Sequence, residues 1–300
     1  MQWDVLVVDN NSQDRTCELV EDFCRRYPDR FRYLFEPQPG KSYALNAGIR
    51  EARGDVLAFT DDDVTVEPAW LQNLTAALHN GEWSGAGGRT LPDRTFLPPR
   101  WLSIEGRYAV APIGLFDRGP NACGLTEAPF GNNMAYRREM FEKYGGFRTD
   151  LGPRLGSRDP QKCEDSEFGC RLLGAGERLR YEPSAVLYHA VPESRIQKGY
   201  FLEWWFDKAR SDVRAFGVDR NHICYKGIPL VLFRRLALWT LRWMVATNPR
   251  VRFDRKIKVW TNAGFIAESY HRFHAGDAKF PAKCAAPPAP PAHGESPSPK

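Results

Sequence analysis

No two of the seven cysteines (17, 24, 123, 163, 170, 224 and 284) are spaced as CxxC, and none clusters with histidine. That excludes a zinc ribbon and a disulfide framework, and leaves ordinary thiols of a reducing compartment. Phosphate loops are missing too: the glycine-rich stretch 81–88 fits neither GxGxxG nor GxxxxGK[ST]. The chain opens MQWDVLVVD, without the basic start and long apolar run of a signal peptide. No segment repeats. The stretch 227–247, GIPLVLFRRLALWTLRWMVAT, is almost long enough to span a bilayer. Its three arginines, each expensive at mid-membrane, argue against that.

What remains is a globular chain. Its 300 residues allow one large or two small domains, and 42% hydrophobic content with 13% aromatics excludes global disorder. The net charge of +5 hides an asymmetry. Residues 1–194 carry 23 Lys+Arg against 29 Asp+Glu, and residues 195–283 carry 18 against 7. An acidic first part suits chemistry with a cation; a basic second part suits an anionic partner, or simply solubilises helices. From 284 the Pro/Ala-rich run reads as a disordered tail.

The densest signal is the stretch 56–66, VLAFTDDDVTV, an apolar run ending in Asp61, Asp62 and Asp63. The run reads as a buried strand, and ligands sit at strand C-terminal ends in open α/β sheets. Three adjacent carboxylates repel one another unless a cation or a donor such as a ribose hydroxyl satisfies them. A solvated acidic turn is the plain alternative. Similar grammar recurs along the chain. An apolar strand at 5–8 ends at Asp9, followed by Asn10, Asn11 and Ser12 as turn or N-cap residues and then a helical pattern from Cys17 to Tyr27. Strand 32–35, a helix from Lys41 and strand 56–60 follow. This alternation predicts a mostly parallel sheet covered by helices. Pro68 opens a helix buried through Trp70, Leu71, Leu74 and Leu78, and a short strand follows near 85–90. Residues 91–130 read as a long loop with one helix near 100–108. A strand at 134–136, a helix at 138–144, a helix opened by Glu164 and Asp165, and a strand ending at His189 complete the pattern. Carboxylates in a first helical turn also suit the helix dipole, so capping is a competing account of Glu164 and Asp165.

In the basic part, Tyr200, Phe201, Trp204, Trp205 and Phe206 crowd one helix. Within 227–247, Arg234, Arg235 and Arg242 fall at roughly 0°, 100° and 80° of a helical wheel, with Leu and Trp around the rest. That is the pattern of a helix lying in a membrane interface, or of one packed on the main domain. It fits a lipid surface better than a nucleic-acid groove, and no nucleic-acid partner is expected.

Four segments, VLVVDNNSQDRT, GKSYALNAGIREARGDVLAFTDDDV, GNNMAYRREMFEKYGGF and CEDSEFGCRL, resemble in order the landmark segments of family 2 glycosyltransferases. The likeness covers about residues 3–190. It implies a GT-A fold: a Rossmann-type α/β sheet sandwiched by helices over 1–194, with a helical extension at 195–283 and a tail at 284–300. It implies an inverting transfer of sugar from a nucleotide-diphosphate sugar to an acceptor hydroxyl on a glycan or lipid-linked acceptor, at the inner face of the cell membrane. Asp165 would be the general base, with Glu164 orienting it or the acceptor. Asp9 would accept from the nucleotide base. Asn11, Lys41, Asp61, Arg195 and Asp62, the residue between the two DxD aspartates, complete the donor site. Asp63, Asp61 and His189 would hold Mn²⁺ or Mg²⁺. Two departures stand out. The family's usual first strand, before the segment beginning at Trp3, has no match, and the QxxRW of processive synthases is absent, which implies one sugar per encounter.

Two other readings compete. Asp61-x-Asp63-x-Thr65 after a strand also resembles the first motif of haloacid-dehalogenase-like phosphatases, where Asp61 would be a nucleophile and Asp63 an acid/base. A non-catalytic relative that binds nucleotide sugar without turnover is the other.

Overall fold

The computed structural model describes residues 2–154, 162–218 and 223–276. The chain begins with β1 (Val5–Asp9), crosses over through α1 (Thr16–Arg26) and returns as β2 (Phe31–Phe35). The two strands pair in parallel, Val5 opposite Phe31 and Asp9 opposite Phe35. Asn10–Ser12 turn the chain at the strand end rather than cap the helix. Asn11 takes the left-handed conformation that asparagine tolerates (φ 66°), and Ser12 N–H donates to Asp9 Oδ1 at 2.8 Å. Asp14, just ahead of α1, accepts from Thr16 N–H at 3.0 Å instead. Then come α2 (Lys41–Glu51), β3 (Val56–Phe59), which is the strand expected at 56–60, and a further short strand β4 (Val64–Val66), with the aspartates in the turn between the two.

The remaining elements of the first part are α3 (Trp70–Ala76), β5 (Gly85–Pro92), β6 (Tyr108–Val110), β7 (Leu115–Asp117), β8 (Cys123–Leu125), β9 (Met134–Arg137), α4 (Arg138–Tyr144), α5 (Glu164–Gly174) and β10 (Leu179–His189). The main sheet runs β3-β9-β5-β10-β4, with β7 on β5, β6 on β7 and β8 on β10. The expectation of a mostly parallel sheet is corrected here. Within this sheet only β5 and β10 pair in parallel; β3–β9, β5–β9, β10–β4 and β10–β8 are antiparallel. Parallel pairing needs a long crossover, and it occurs where helices lie between the paired strands. β1 and β2 form a sheet of their own, and among the described residues no strand joins β1 to β3.

The main sheet separates two apolar layers. On one side Leu57, Met134, Tyr136, Met140, Phe141, Phe168 and Leu172 cluster under α4 and α5. On the other, Trp70 and Leu74 of α3 and Leu78 just after it meet Ala86, Ala135 and Leu187. β9 feeds both layers by strand alternation, with Met134 and Tyr136 facing one and Ala135 the other.

No helix forms near 100–108. There Trp101 plugs into the C-terminal part, edge-on to Phe201 at 5.0 Å and Phe253 at 4.9 Å between ring centroids. The C-terminal part consists of α6 (Lys198–Phe216), a hairpin of β11 (Cys224–Tyr225) and β12 (Ile228–Pro229), then α7 (Leu230–Met244) and α8 (Pro249–His274). Asn248 caps α8, accepting from the N–H groups of Arg250 (3.0 Å) and Val251 (3.3 Å), and Pro249 suits the first helical position. Among the described residues no helix is long and apolar enough to cross a membrane. The tail expected from 284 and part of the loop 148–163 lie outside the described residues.

Candidate active site

Loop ends and helix starts bring most of the expected residues together. Lys41 opens α2 behind Gly40. The loop before it is pinned by Asn10, whose Nδ2 donates to the carbonyls of Glu36 (2.9 Å) and Gln38 (2.7 Å) while its Oδ1 accepts from Gly40 N–H at 2.7 Å. Lys41 Nζ then reaches Asp61 Oδ1 at 2.7 Å. Burial alone would lower the Lys41 ammonium; Asp61, Glu164 and Asp165 together outweigh it and hold it above its ordinary range. One cation therefore sits in the field of three carboxylates from two elements.

Those carboxylates are not alike. Glu164 is buried, and that burial, with the charge of Asp165, pushes its carboxyl up to about 7 against the pull of Lys41. Asp165 is half-buried in the first turn of α5. Its Oδ2 accepts from Gly131 N–H at 2.8 Å and its Oδ1 from Ser166 N–H at 2.6 Å. An added Cβ at Gly131 would lie 3.0 Å from that Oδ2, so the carboxylate would have to give by a few tenths of an ångström to admit it. Neither carboxylate caps α5, whose N-cap is Cys163, but both lie in its first turn, where they suit the helix dipole as the competing account expects. Glu167, the third acid in that turn, is spent on Arg171 at 2.7 Å.

A second group forms where β10 ends beside the β3–β4 turn. His189 Nε2 lies 3.3 Å from Asp63 Oδ2, and Arg195 Nη1 lies 3.6 Å from the same oxygen. The hydrogen bond from His189 foremost, with the charge of Arg195, holds Asp63 below the usual carboxylate range despite its burial. Asp63 Oδ1 and His189 Nδ1 are buried with no hydrogen-bond partner. An orphaned buried oxygen needs an explanation, and the Asp63 carboxylate with the His189 Nε2 that faces it fits a divalent cation once Nε2 carries no proton, while Nδ1 lies on the far side of the ring. Among the described residues no cluster of three metal-binding side chains exists. Such a cation would therefore draw its other ligands from phosphate oxygens and water, as Mg²⁺-type sites commonly do. Asp61 points elsewhere, to Lys41.

The other expected residues stand apart. Asp9 is buried, accepting from Ser12 N–H and, at Oδ2, from Tyr33 OH at 2.8 Å. Burial works against its charge, but those hydrogen bonds prevail and lower its pKa. Asn11 and Asp62 are exposed. An open groove of about 660 Å³ lined by Leu6, Cys24, Phe31 and Tyr33 contains none of the expected site residues. The chemistry follows the carboxylates, not this concavity.

Several supporting residues went unread in the sequence. Asn132 Nδ2 donates to Gly114 O at 3.1 Å, and Asn133 Oδ1 accepts from Trp70 Nε1 at 2.9 Å, locking the segment that carries Gly131. Ser42 Oγ donates to Leu151 O at 2.7 Å, holding the loop before α5 over α2. Two buried asparagines side by side in GNNMAY were the available signal.

Residues 1–145 match the profile of glycosyl transferase family 2. The chain belongs to that family. Among family relatives, it is 28% identical over 205 residues to a glucosyl-dolichyl phosphate glucuronosyltransferase of Haloferax volcanii, covering 67% of this chain and 64% of that protein. It is 28% identical over 224 residues to a probable glycosyltransferase, YdaM, of Bacillus subtilis, covering 69% of this chain and 46% of that one. The chain thus spans about half to two-thirds of the length of these relatives. A crystal structure of GalNAc-T7 with UDP, GalNAc and Mn²⁺ superposes with a TM-score of 0.54 at 16% identity, over 91% of this chain and 50% of that one. The family 2 chain therefore has a mixed α/β GT-A-like fold with C-terminal helices.

Proposed function

We propose that the chain is a metal-dependent, inverting, non-processive glycosyltransferase. It would move a sugar from a nucleotide-diphosphate donor to a hydroxyl of a lipid-linked or other envelope glycan, at the inner face of a cell membrane. The observation that carries this reading is the convergence of Lys41, Asp61, Glu164 and Asp165 beside Asp63, His189 and Arg195. Family membership and the named activity of the Haloferax relative support it.

In this reading Asp165 is the general base. Its carboxylate is oriented by Gly131 and Ser166 N–H groups, and a carboxylate's further lone pairs remain for the acceptor hydroxyl. The acceptor oxygen attacks the anomeric carbon and its proton passes to Asp165. The bond from that carbon to the donor phosphate oxygen breaks, and its electron pair stays on the nucleotide diphosphate. Attack opposite the leaving group inverts the centre. Lys41 and Arg195 are the cations placed to receive the phosphates, and Glu164 sets the field around Lys41 and Asp165. Asp61 takes the ribose, and Asp62 lies at the rim of the donor site. Asp9 and Asn11 meet the base: two of the roughly four acceptor positions of the Asp9 carboxylate are in use. Asp63 and His189 would hold Mn²⁺ or Mg²⁺, which supplies Lewis-acid relief of charge on the departing diphosphate.

The phosphatase reading leaves Asp165, held by the Gly131 and Ser166 N–H groups, without a role. A panel of UDP-, GDP- and dTDP-sugars with Mn²⁺, read by nucleotide diphosphate release, tests the proposal. Release from one donor class is expected. Donor binding with no release from any of them would favour a non-catalytic relative, and phosphate release from simple phosphomonoesters would favour the phosphatase.

A further inference from the structure

The C-terminal part exposes apolar surface on a scale the rest of the chain does not. Of the 18 large hydrophobic side chains exposed among the described residues, 11 fall between positions 223 and 273. Their centre is α7. Leu230, Phe233, Leu238, Leu241, Met244 and Val245 are each between 40 and 66% exposed. At about 100° per residue they share an arc of roughly 140°. The opposite face is the one that packs. Leu232 is buried, and Trp243 meets Trp260 of α8 at 6.5 Å between ring centroids. A helix on a soluble surface turns its polar side outward; α7 turns its leucines outward.

The hairpin that leads into α7 extends the patch. Lys226 (φ 47°) and Gly227 (φ 75°) make its tight turn, and the flanking Ile223 and Tyr225 are 79% and 60% exposed. Gly227 sits against Phe273 of α8, where an added Cβ would lie 2.5 Å from the Phe273 Cβ. The hairpin is thereby held to the end of α8, beside the exposed Tyr270 and Phe273.

Charge identifies the occupant. Residues 223–253 contain six Lys or Arg and no Asp or Glu. Arg234, Arg235 and Arg242 are all exposed on or beside the apolar arc. A second copy docked here would set like charge against like charge. An anionic surface that accepts leucine and methionine side chains is complementary, and the helix is not apolar enough to pass through a bilayer. We propose that the outer face of α7, with the tip of the β11–β12 hairpin, docks on an anionic lipid bilayer, the helix lying in the interface plane with its arginines among the headgroups. The proposal depends on neither donor nor turnover, so it stands or falls apart from the transfer reaction.

The test is flotation of the full chain with vesicles of phosphatidylcholine alone or mixed with phosphatidylglycerol. Wild type is expected to float with the mixed vesicles, much less with the neutral ones, and to be released by salt. An Arg235→Ser/Arg242→Ser variant loses roughly 25-fold in partitioning, since each basic residue near an anionic leaflet contributes about fivefold. A Leu241→Glu/Met244→Glu variant loses at least about tenfold. All four side chains are exposed, so thermal unfolding should match wild type, and the arginine pair decides the matter if the other variant misfolds. Equal partitioning of wild type and variants, or no flotation of wild type, overturns the proposal. So does a concentration-dependent dimer, seen by sedimentation, that the Leu241→Glu/Met244→Glu change dissolves while wild type ignores vesicles; the patch would then be a self-interface.

Discussion

Glu268 in α8, fully buried, and Asp63 in the β3–β4 turn, about a third exposed, are both carboxylates beside basic side chains, and their surroundings differ sharply. Glu268 is 1% exposed and meets three arginines: Arg214 Nε at 2.6 Å, Arg210 Nε at 3.2 Å and Arg272 Nε at 3.4 Å. Burial works against its charge, yet these partners hold it below its ordinary range. Asp63 has a histidine and an arginine on one oxygen and nothing on the other. In the first both carboxylate oxygens are paired, and the cluster ties α6 to α8. The second is left open at an atom that a substrate or cation would fill. A satisfied buried charge reads as architecture, and an unsatisfied one reads as a place for chemistry.

Breaking each cluster should therefore hurt in different ways. On the active-site side Asp165→Asn, in the carboxylate group next to Asp63, should cut nucleotide diphosphate release by about a thousandfold, the scale of losing a positioned base, with thermal unfolding unchanged. In the paired cluster Glu268→Gln should cost about 3 kcal/mol of stability in a denaturant titration, because three arginines lose their counter-charge in a buried site. Release per folded molecule should stay at the wild-type value.

A smaller effect sharpens the contrast through pH. The Glu164 carboxyl is raised from 4.5 to about 7, so the folded state holds this proton more tightly than the unfolded chain. Glu164 then costs no stability below about pH 4.5, costs increasingly more up to about pH 7, and costs a constant amount above. Glu164→Gln should match wild type near pH 4.5 and gain on it toward neutrality in melting experiments. Glu177 has the opposite sign. Hydrogen bonds from Ser84, Tyr144 and Lys143 lower its carboxyl to about 2, so its contribution is present above about pH 4.5 and fades as pH falls toward 2. Glu177→Gln should cost about 1 kcal/mol at neutral pH and nothing at the acid end.

The site was legible where an apolar run ended abruptly in a polar group. Val5–Asp9, Val56–Phe59 and Leu179–His189 are strands whose ends deliver Asp9, the aspartate turn and His189, and Glu164 opens α5 as the pattern predicts. Pairing direction was not legible, because period-two alternation reads the same for either direction; β9 shows no sign in its own residues of inserting antiparallel between β3 and β5. Where a helix is expected near 100–108, Trp101, Leu102 and Ile104 are instead spent on the cluster with Phe201 and Phe253. Within the helical extension expected at 195–283, the bounds of the 26-residue α8 were not legible, because its buried side includes Asn262, Gly264, Glu268 and Ser269, which carry no apolar stripe. The split between Asp61 and Asp63, one to Lys41 and one to His189, is a matter of side-chain direction in a turn, which spacing alone does not carry.

The central claim is a single displacement with Asp165 as base. The most direct measurement is the anomeric configuration of the first product, read by proton NMR while transfer proceeds from whichever donor the panel selects. The account predicts a product inverted relative to the donor. Retained configuration would contradict it.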